Sequence, residues 1–311
     1  MKVINGYENL PAELIGAIVT IGNFDGIHLG HQAIFRNVIE EARRVGKKAI
    51  VITFEPHPKM LLHPERRPFY LITSLEEKIK LIDDLGFDAL ILIPFSLEFA
   101  ETTAEDFIKE ILWKKLRITK IFIGHDYTFG KGKGGNEQYL TAFGERLGFA
   151  VDVINAVAAG DIVVSSTRIR NAILGGDAKT AAMLLGRPYN LSGPVVVGKR
   201  RGAGLGFPTA NIEPNKVLIP ARGIYAAFAV LDQSRYQAAL NIGFNPTFAD
   251  EKLSVEVHLL DFDRDIYGRN LDILFIDRIR NEKKFNSPAQ LIEQIGRDVE
   301  KAREILKSSP W

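Results

Sequence analysis

The sequence predicts an α/β fold followed by a β fold: an N-terminal doubly wound parallel sheet, then a C-terminal antiparallel β-barrel with a terminal helix. In the first half, apolar runs of the kind found in strands buried on both faces alternate with helical patterns. In the second half, short strands follow one another closely and are separated by turns, as in small barrels. A chain of 311 residues is long enough for two domains, each with its own core.

The parallel sheet is predicted from four apolar runs in the first half of the chain. They occupy residues 17–21, 49–54, 89–93 and 121–123. Such runs are typical of strands that are buried on both faces, and the helical segments between them supply the crossovers of a parallel sheet. Ligands of such sheets bind beyond the carboxyl ends of the strands, so residues 22–31 are expected to lie at a ligand site.

Three helices are predicted between these strands from caps and apolar spacing. The first has one apolar face and ends at Gly46. The second begins with a capping box formed by Ser74 and Glu77. The third is predicted to begin in the same way, at Thr102 and Glu105.

The barrel is predicted from a change of pattern near residues 185–190, which places the domains at 1–186 and 187–311. Strands are predicted at residues 195–197, 225–230, 237–242, 255–260 and 271–276. Glu256 lies on the polar face of the fourth strand. Residues 261–268 are interpreted as a hairpin tip, and a final helix begins at Ser287 and Pro288, a favourable N-cap and first-turn pair.

Composition excludes several classes of protein. The chain has no cysteine, which excludes disulfides, thiolate metal sites and cysteine nucleophiles. A net charge of +2 gives no electrostatic reason to expect nucleic acid or an anionic membrane as a partner. The N-terminus lacks the apolar core of a signal peptide, and the apolar run at 89–95 is too short to cross a bilayer. A soluble protein of the reducing cytoplasm is expected.

The loop after the first predicted strand combines three glycines with two histidines. Gly22, Gly26 and Gly30 lack a Cβ atom, so the backbone can turn sharply and approach a ligand closely. A helix that opens at His31 directs unpaired N–H groups and the positive end of its dipole at the loop. His28 and His31 can then donate hydrogen bonds to charge that develops on a transferred phosphoryl group. The pattern predicts a nucleotide site, although a single histidine at a helix start is more often a cap.

The same loop resembles the GxHxGH signature of the nucleotidyltransferase superfamily, carried here by Gly26, His28, Gly30 and His31. Those enzymes transfer an adenylyl group from ATP to a phosphate or a carboxylate. A similar HxGH loop occurs in class I aminoacyl-tRNA synthetases, which stays open as an alternative. The near-neutral charge and the absence of a basic stripe argue against a chain that grips tRNA.

Residues 164–170 read VSSTRIR, in which three consecutive hydroxyl side chains are followed by arginines at alternate positions. They can cap a helix N-terminus and bind a triphosphate there, or form a plain N-cap beside solvated arginines. Together with the GxHxGH loop, the segment resembles the ISSTxIR signature of bacterial flavin-adenylating enzymes. The resemblance implies an ATP site made of Gly22, Asn23, Phe24, Asp25, Gly26, Gly30, Ser165, Ser166, Thr167 and Arg170.

Two further segments are similar to flavin-binding stretches of that family. Residues 53–58 read TFEPHP and resemble its TFxPHP stretch, and residues 124–130 read GHDYTFG and resemble its GxDFxFG loop. In the second segment, Tyr127 replaces a phenylalanine but keeps the ring. The resemblance implies a flavin site lined by Phe54, His57, Pro58, Asp126, Tyr127 and Phe129.

The second half carries its own glycine-rich string, GKRRGAGLGFPTAN, over residues 198–211. Glycines let backbone amides wrap phosphates, and Thr209 and Asn211 offer hard oxygen ligands that suit Mg²⁺. The string resembles the riboflavin kinase family, whose glycine loop covers ATP. The implied ATP-binding residues are Gly198, Lys199, Gly202, Gly204, Gly206, Pro208, Thr209 and Asn211, with Thr209 and Asn211 as metal ligands. Glu256 matches that family's catalytic base, where the residue alone would suggest an exposed strand glutamate.

The two halves together resemble the bacterial family that joins a riboflavin kinase to an FAD synthetase. The resemblance implies that residues 187–311 phosphorylate riboflavin to FMN with ATP and Mg²⁺, releasing ADP. Residues 1–186 then join FMN to the AMP part of a second ATP, giving FAD and pyrophosphate, while His28 and His31 stabilise the transition state. No nucleic-acid or membrane partner is expected, and the number of subunits stays open. The alternatives are a chain that retains one of the two activities and a non-catalytic flavin-binding regulator.

Overall fold

Two compact units make up the chain, Met1–Ser165 and Ser166–Trp311. The structure is a computed structural model, and it describes residues 1–66, 68–198, 204, 206–246 and 251–311. The domain boundary expected at residue 186 lies two helices further along the chain than the division between the units, and it stays a prediction. No helix in these described ranges is long and apolar enough to span a lipid bilayer.

A parallel sheet forms the centre of the first unit and has six strands among the described residues. They are β1 (Lys2–Asn5), β2 (Ile18–Ile21), β3 (Ala49–Glu55), β4 (Ala89–Pro94), β5 (Lys120–Gly124) and β6 (Ala150–Ile154). Their order is β1-β4-β3-β2-β5-β6, and every neighbouring pair is parallel. The predicted parallel sheet and its four central strands are confirmed. The edge strands β1 and β6 are absent from the prediction because they are only partly buried and lack a continuous apolar run.

Helices cover both faces of this sheet, as a doubly wound fold requires. They are α1 (Leu29–Val45), α2 (Pro58–Leu62), α3 (Leu75–Asp84), α4 (Leu97–Ala100), α5 (Ala104–Asp106), a π-helical segment (Phe107–Lys115) and α6 (Glu137–Leu147). A small hairpin of β7 (Ala158–Ala159) and β8 (Ile162–Val163) follows β6. Two apolar clusters lie on opposite faces, one around Val19 and Ile21 and the other around Ile18 and Val51.

The capping signals locate helix starts to within a residue. Ser74 accepts a hydrogen bond from the Glu77 N–H, and the Glu77 carboxylate accepts one from the Ser74 N–H, so the predicted capping box is confirmed. The next cap lies one residue later than predicted: Thr103 accepts from the Asp106 N–H. Thr102 still belongs to the turn that ends α4, because its N–H donates to a carbonyl of that helix.

The second unit contains two helices followed by a closed antiparallel barrel. The helices are α7 (Ser166–Gly175) and α8 (Ala178–Leu185). The strands are β9 (Tyr189–Val196), β10 (Ala210–Ile212), β11 (Gly223–Leu231), β12 (Ser234–Pro246), β13 (Glu251–Leu259) and β14 (Asn270–Arg280). They are ordered β10-β13-β12-β11-β14-β9, and pairing between β9 and β10 closes the barrel. The predicted barrel is confirmed.

The terminal helix α9 (Pro288–Lys307) packs on the outside of this barrel. Its predicted N-cap, Ser287, accepts a hydrogen bond from the N–H of the third residue of the helix. Val299 and Ala302 are buried against apolar side chains of the strands. Asp298 is also buried, and both of its carboxylate oxygens accept hydrogen bonds from Arg280 of β14, at 2.6–3.1 Å. This ion pair and the apolar contacts fix α9 against the barrel wall.

Candidate functional site

The order of the parallel sheet creates a crevice beside β2. β3 and β4 continue the sheet on one side of β2, whereas β5 and β6 continue it on the other. At such a switch point the connections from two adjacent strands leave in opposite directions, and ligands bind beyond their carboxyl ends. Residues 22–28 leave β2 there, and residues 125–136 leave β5, its direct neighbour. The predicted nucleotide loop and one predicted flavin segment therefore start side by side.

The loop after β2 holds an unusual backbone conformation. Phe24 and Ile27 have positive φ values of 46° and 40°, a region that non-glycine residues seldom occupy. Each such conformation lowers the stability of the fold by about 1–3 kcal/mol, and it persists only where packing of the surrounding residues enforces it. Both side chains are buried, and the Phe24 ring packs edge-on against Phe35 at 4.8 Å between centroids. The core of the first unit therefore holds the loop in shape before any ligand binds.

The three glycines of this loop have different reasons to lack a side chain. Gly26 has φ +89°, the left-handed conformation that glycine adopts without strain. Gly22 and Gly30 do not have a positive φ, so the expectation that all three glycines serve a sharp turn is wrong for these two. A Cβ atom on Gly22 would lie 3.0 Å from the Phe24 ring, and one on Gly30 would lie 3.2 Å from the His28 imidazole. Gly22 and Gly30 thus allow close packing of neighbouring rings.

His28 and His31 lie together at the start of α1. The helix was expected to open at His31, but it begins at Leu29 with His28 as its N-cap. The reason is that the Nδ1 atom of His28 accepts a hydrogen bond from the His31 N–H, at 3.4 Å, as a capping Asn or Asp side chain would. The two rings stack, with centroids 3.6 Å apart and planes 20° apart. Both predicted catalytic histidines therefore sit at the positive end of the α1 dipole.

The buried polar atoms of this loop have unused hydrogen-bonding capacity. Within the described part of the chain, His31 Nδ1 and Asn23 Oδ1 are buried and have no hydrogen-bond partner. Burial lowers the pKa of His31 well below its usual value, and electrostatic interactions with His28 and Lys78 lower it further. His31 is therefore a neutral imidazole near neutral pH. Unpaired buried polar atoms are rare in proteins, and here they mark a place for polar atoms of a ligand.

A segment distant in sequence, residues 72–78, clamps this loop, and we call it the 72–78 clamp. The buried carboxylate of Asp25 accepts hydrogen bonds from the backbone N–H groups of Ile72 at 2.9 Å and Thr73 at 3.2 Å. The Thr73 hydroxyl in turn accepts from the Gly26 N–H at 3.1 Å. Asp25 therefore holds the loop to the clamp. The contact with ATP expected of Asp25, and that expected of the buried Phe24 ring, stay predictions.

Replacing Asp25 with alanine is expected to destabilise the first unit by about 1–3 kcal/mol, because two buried N–H groups lose their acceptor. Urea unfolding followed by circular dichroism measures this change. Asp84→Ala, an exposed carboxylate at the end of α3, is the matched control and is expected to leave the stability of the unit nearly unchanged. Equal stability of the two variants would contradict the clamping role of Asp25.

Lys78 of α3 is a buried residue that the sequence interpretation overlooks. Only 3% of its surface is exposed, and its Nζ donates a hydrogen bond to the Asn23 carbonyl at 2.9 Å. A signal was available: Lys78 falls on the apolar face of α3, beside Leu75, Ile79 and Ile82. A lysine at such a position is almost never fully buried without a specific partner.

The first predicted flavin segment lies at the end of β3 and the start of α2. Phe54 is half-buried, and its ring contacts Phe95 at 5.9 Å and Phe99 at 6.0 Å. His57 is the N-cap of α2, with Nδ1 accepting from a backbone N–H two residues later at 3.2 Å, and its ring lies 4.7 Å from Phe69. Pro58 is the first residue of α2. Aromatic rings therefore pack together at the carboxyl end of β3.

The second predicted flavin segment follows β5. Asp126 is exposed, whereas Phe129 is buried and stacks on Tyr127 at 5.4 Å with planes 13° apart. Phe129 also contacts Phe107 at 5.8 Å, and Phe107 contacts Phe99 at 6.5 Å, so both flavin segments share one aromatic cluster. The Tyr127 hydroxyl is buried without a hydrogen-bond partner among the described residues, and burial raises its pKa.

The VSSTRIR segment coincides with the start of α7. The helix begins at Ser166, so the expected helix N-terminus is present. Ser165 is the last residue of the first unit, and Ser166, Thr167 and Arg170 belong to the second. Thr167 is exposed, while Ser165, Ser166 and Arg170 are half-buried.

In the barrel, three polar side chains form a row across adjacent strands. Glu256 of β13 pairs directly with Asn211 of β10 on one side and with Asn241 of β12 on the other. Directly paired residues of antiparallel strands point to the same face, with Cβ atoms about 5 Å apart. The neighbours Val255 and Val257 are buried inside the barrel, so the row lies on its outer face. Asn241 is absent from the predicted site, although a polar residue within an apolar strand signals it.

Of the residues predicted to bind ATP in this half, Gly198 packs against Asn211. Gly198 lies so close that a Cβ atom on it would be 2.0 Å from Asn211 Nδ2. Gly206 has φ +85°, which explains a glycine there, whereas Gly204 has no positive φ and, among the described residues, no neighbour that a Cβ atom would contact. Lys199 and Gly202 lie outside the described residues.

The Pro208–Thr209 segment is held by β13 and lines a cavity. His258, two residues after Glu256, contacts the Pro208 carbonyl through Nδ1 at 2.8 Å. A cavity of about 310 Å³ lies beside Pro208 and Thr209, and its lining includes Phe262, Arg264 and Tyr267. These three residues belong to the connection from β13 to β14. The hairpin tip expected at residues 261–268 is wrong, because β13 pairs with β10 and β12, whereas β14 pairs with β11 and β9. The turn signals of this segment are local and do not show which strands it connects.

Metal-binding groups are sparse in the described ranges, where no three or more His, Asp and Glu side chains cluster as metal ligands would. The predicted ligands Thr209 and Asn211 lie two residues apart at the start of β10, and both are half-buried. They therefore present a hydroxyl and an amide beside the cavity and beside Glu256.

Two family models match the chain: FAD synthetase over residues 10–168 and riboflavin kinase over residues 185–306. The bifunctional riboflavin kinase/FMN adenylyltransferase of Escherichia coli (strain K12) is 38% identical over 308 residues, which is 98% of each chain. The protein of the same description from Pseudomonas fluorescens is 35% identical over 310 residues and 99% of each chain. A solved Streptococcus pneumoniae structure, described as a macrolide-efflux protein, has a TM-score of 0.89 and 35% identity, covering 97% of this chain and 99% of that one.

Proposed function

Since the chain belongs to the bifunctional riboflavin kinase/FMN adenylyltransferase family, we propose that residues 1–186 carry its adenylyltransferase site and residues 187–311 its kinase site. The enzyme phosphorylates riboflavin to FMN and adenylylates FMN to FAD, and both reactions consume ATP. The division is supported by the two family models, since the first ends at residue 168 and the second begins at residue 185.

In the kinase reaction, Glu256 is the base. Its carboxylate takes the proton of the riboflavin 5′-hydroxyl while that oxygen attacks the γ-phosphorus of ATP, and ADP leaves. The observation that carries this assignment is the row of Asn211, Glu256 and Asn241 on the barrel wall. Amide side chains on both sides can orient the carboxylate by hydrogen bonding without taking its role as proton acceptor.

Thr209 and Asn211 fit a magnesium ion bound with the nucleotide. Hydroxyl and amide oxygens are hard donors, and Mg²⁺ takes few protein ligands when phosphate oxygens complete its shell. The absence of a Cβ atom at Gly198 leaves the space that the Asn211 amide occupies. Thr209 Oγ1 and Asn211 Oδ1 would hold the ion, which would neutralise negative charge on the phosphates of ATP.

Asn211→Ala is expected to raise the Mg²⁺ concentration for half-maximal FMN formation by about ten- to a hundredfold, because one ligand is lost. Kinase rates measured across a magnesium titration test this. Asn215→Ala, an exposed asparagine just beyond β10, is the control and is expected to match the parent. An unchanged magnesium dependence in Asn211→Ala would remove Asn211 from the metal site.

The cavity beside Thr209 is proposed to receive the adenosine part of the kinase's ATP. Its volume of about 310 Å³ falls at the lower end of the range of small-molecule sites. The rings of Phe262 and Tyr267 offer faces on which a purine can stack, and the Arg264 guanidinium lies 4.9 Å from the Phe262 ring. Gly198, Lys199, Gly202, Gly204 and Gly206 would then cover the phosphates.

In the adenylyl transfer, an FMN phosphate oxygen attacks the α-phosphorus of ATP and pyrophosphate leaves. FMN already carries the nucleophile, so no covalent enzyme intermediate is required. This assignment is supported by two buried atoms at the positive end of α1, His31 Nδ1 and the Asn23 amide oxygen, which have no hydrogen-bond partner among the described residues. The His28 and His31 imidazoles would donate to phosphate oxygens as charge develops on them. Ser165, Ser166, Thr167 and Arg170 are proposed to bind the remaining phosphate oxygens.

The flavin of FMN is proposed to lie against the aromatic cluster beyond β3 and β5. Phe54 and Tyr127 belong to that cluster and are half-buried, so their rings can still contact a ligand. The remaining residues proposed to line the flavin are His57, Pro58, Asp126 and Phe129.

A time course with riboflavin, ATP and Mg²⁺ tests the proposed function, with riboflavin, FMN and FAD separated by chromatography. FMN that appears first and then gives way to FAD is the expected result. FMN that accumulates without FAD would contradict the adenylyltransferase site, and a failure to consume ATP in the presence of flavin would contradict both sites.

A further inference from the structure

We propose that Lys78 is a positioning residue for adenylyl transfer, which fixes the Asn23 carbonyl and maintains a positive charge beside His28 and His31. Its role rests on the proposed function of residues 22–31. Lys78 lies on α3, outside the loop that carries the nucleotidyltransferase signature, and it acts through the residues of that loop.

The Asn23 carbonyl is fixed from two elements of the fold. Lys78 Nζ of α3 donates to it at 2.9 Å, and Thr53 Oγ1 of β3 donates at 3.3 Å. The Asn23 side chain, whose buried amide oxygen has no partner among the described residues, therefore projects from a backbone carbonyl that two hydrogen bonds hold in place. Its orientation toward a ligand is set by these two contacts.

Burying this ammonium group costs free energy that an apolar side chain would not. Lys78 is 3% exposed and makes no ion pair within 4.0 Å among the described residues, since its hydrogen-bond partner is a neutral carbonyl. A methionine would fill the same space on the apolar face of α3 without desolvating a charge. A costly buried charge that no direct ion pair compensates points to a role at the adjacent site.

The position of Lys78 is set before a ligand arrives. The capping box of Ser74 and Glu77 fixes the first turn of α3, and the Lys78 N–H donates to the Ser74 carbonyl at 3.0 Å. Because the same 72–78 clamp holds Asp25 and Gly26, it fixes both ends of the 23–26 segment. Lys78 is therefore the charged member of a rigid support.

Electrostatics couple Lys78 to the histidines. The charge of Lys78 lowers the pKa of His31, in addition to the larger effect of burial and the effect of His28. Burial lowers the pKa of Lys78 itself, while the carboxylates of Asp25 and Glu55 oppose that change. Removing the Lys78 charge therefore makes His31 easier to protonate, and the pH at which it titrates must rise.

The test uses the full chain carrying Lys78→Met, which keeps the side-chain volume, or Lys78→Arg, which keeps the charge and the donor. Lys80→Met, an exposed lysine of the same helix, is the matched control. FAD formation from supplied FMN and FMN formation from riboflavin are measured separately with ATP as the varied substrate. His31 titration is followed by NMR of labelled histidine, with the His31 signal identified by comparison with His31→Gln.

Lys78→Met is expected to lose about ten- to a hundredfold in kcat/KM for ATP in FAD formation, while FMN formation stays at the parental rate. Its His31 titration is expected to move to higher pH, while Lys78→Arg and Lys80→Met keep the parental titration. Parental FAD formation in Lys78→Met, or an unmoved His31 titration, would overturn the proposal. So would a first unit that unfolds in both Lys78 variants, since Lys78 would then be purely structural. A parent chain that makes no FAD would instead refute the proposed function.

Discussion

Replacing His28 with alanine is expected to lower the rate of FAD formation by about 10²–10³-fold, while FMN formation proceeds at the parental rate. The loss corresponds to removal of one preorganised donor from a transition state that carries developing charge. His28 is suited to this role because it is 6% exposed and its ring stacks on His31 at 3.6 Å. The substitution leaves the proposed kinase residues Glu256 and Asn211 unchanged, so FMN formation is expected to continue.

His28 also caps α1, and its two roles can be separated by choice of variant. His28→Asn keeps a side chain that caps helices well but lacks the imidazole, whereas His28→Ala removes both. Loss of the cap alone costs about 1 kcal/mol of stability, far too little to unfold the unit. His28→Asn is therefore expected to keep the parental stability and still lose FAD formation. His63→Ala removes a half-buried histidine that contacts Glu65, far along the chain from residues 22–31, and is the matched control, expected to keep both activities.

The measurement is the initial rate of FAD formation from supplied FMN and ATP, with FMN formation from riboflavin recorded on the same preparations. Parental FAD formation in His28→Asn would show that His28 serves only as a cap. A loss of both activities in His28→Ala would contradict separate sites in the two halves of the chain.

Much of the fold was predictable because its signals are local. Residues 17–21 show a strand buried on both faces through composition alone, and Ser74 with Glu77 shows a helix start through spacing alone. The glycine and histidine spacing of residues 22–31 predicts a phosphate-binding loop without any tertiary information, and that role stays a prediction. The predicted start of α1 at His31 is nevertheless wrong. His28 is the N-cap, since an imidazole nitrogen can accept the hydrogen bond that an Asn or Asp side chain usually accepts.

The parts that escaped prediction depend on pairing between distant residues. Asp25 is bound by backbone groups 47 and 48 residues away, and Lys78 reaches a carbonyl 55 residues away. No spacing rule relates such positions. The pairing of Asn241 with Glu256 depends on strand register, and a shift of one residue would turn either side chain to the opposite face. Register is fixed by the closed barrel, so it becomes visible only in the structure.

Glu256→Gln is expected to lower FMN formation by about 10²–10⁴-fold, the contribution typical of a general base. Glutamine has nearly the same shape and can form hydrogen bonds with amide side chains such as those of Asn211 and Asn241, but it cannot take a proton at neutral pH. Conversion of supplied FMN to FAD is expected to continue at the parental rate. Glu213→Gln, an exposed glutamate just after β10, is the matched control and is expected to retain both activities.

The pH dependence of Glu256→Gln distinguishes a base from a residue that only orients the substrate. If Glu256 takes the proton, the residual rate of the variant is expected to rise with pH, because hydroxide or a riboflavin alkoxide replaces the missing base. If Glu256 only positions the riboflavin hydroxyl, the variant and the parent keep the same pH profile and differ in KM for riboflavin. A shared profile with unchanged kcat would therefore exclude Glu256 as the base, and the row of Asn211, Glu256 and Asn241 would then be a riboflavin-binding surface.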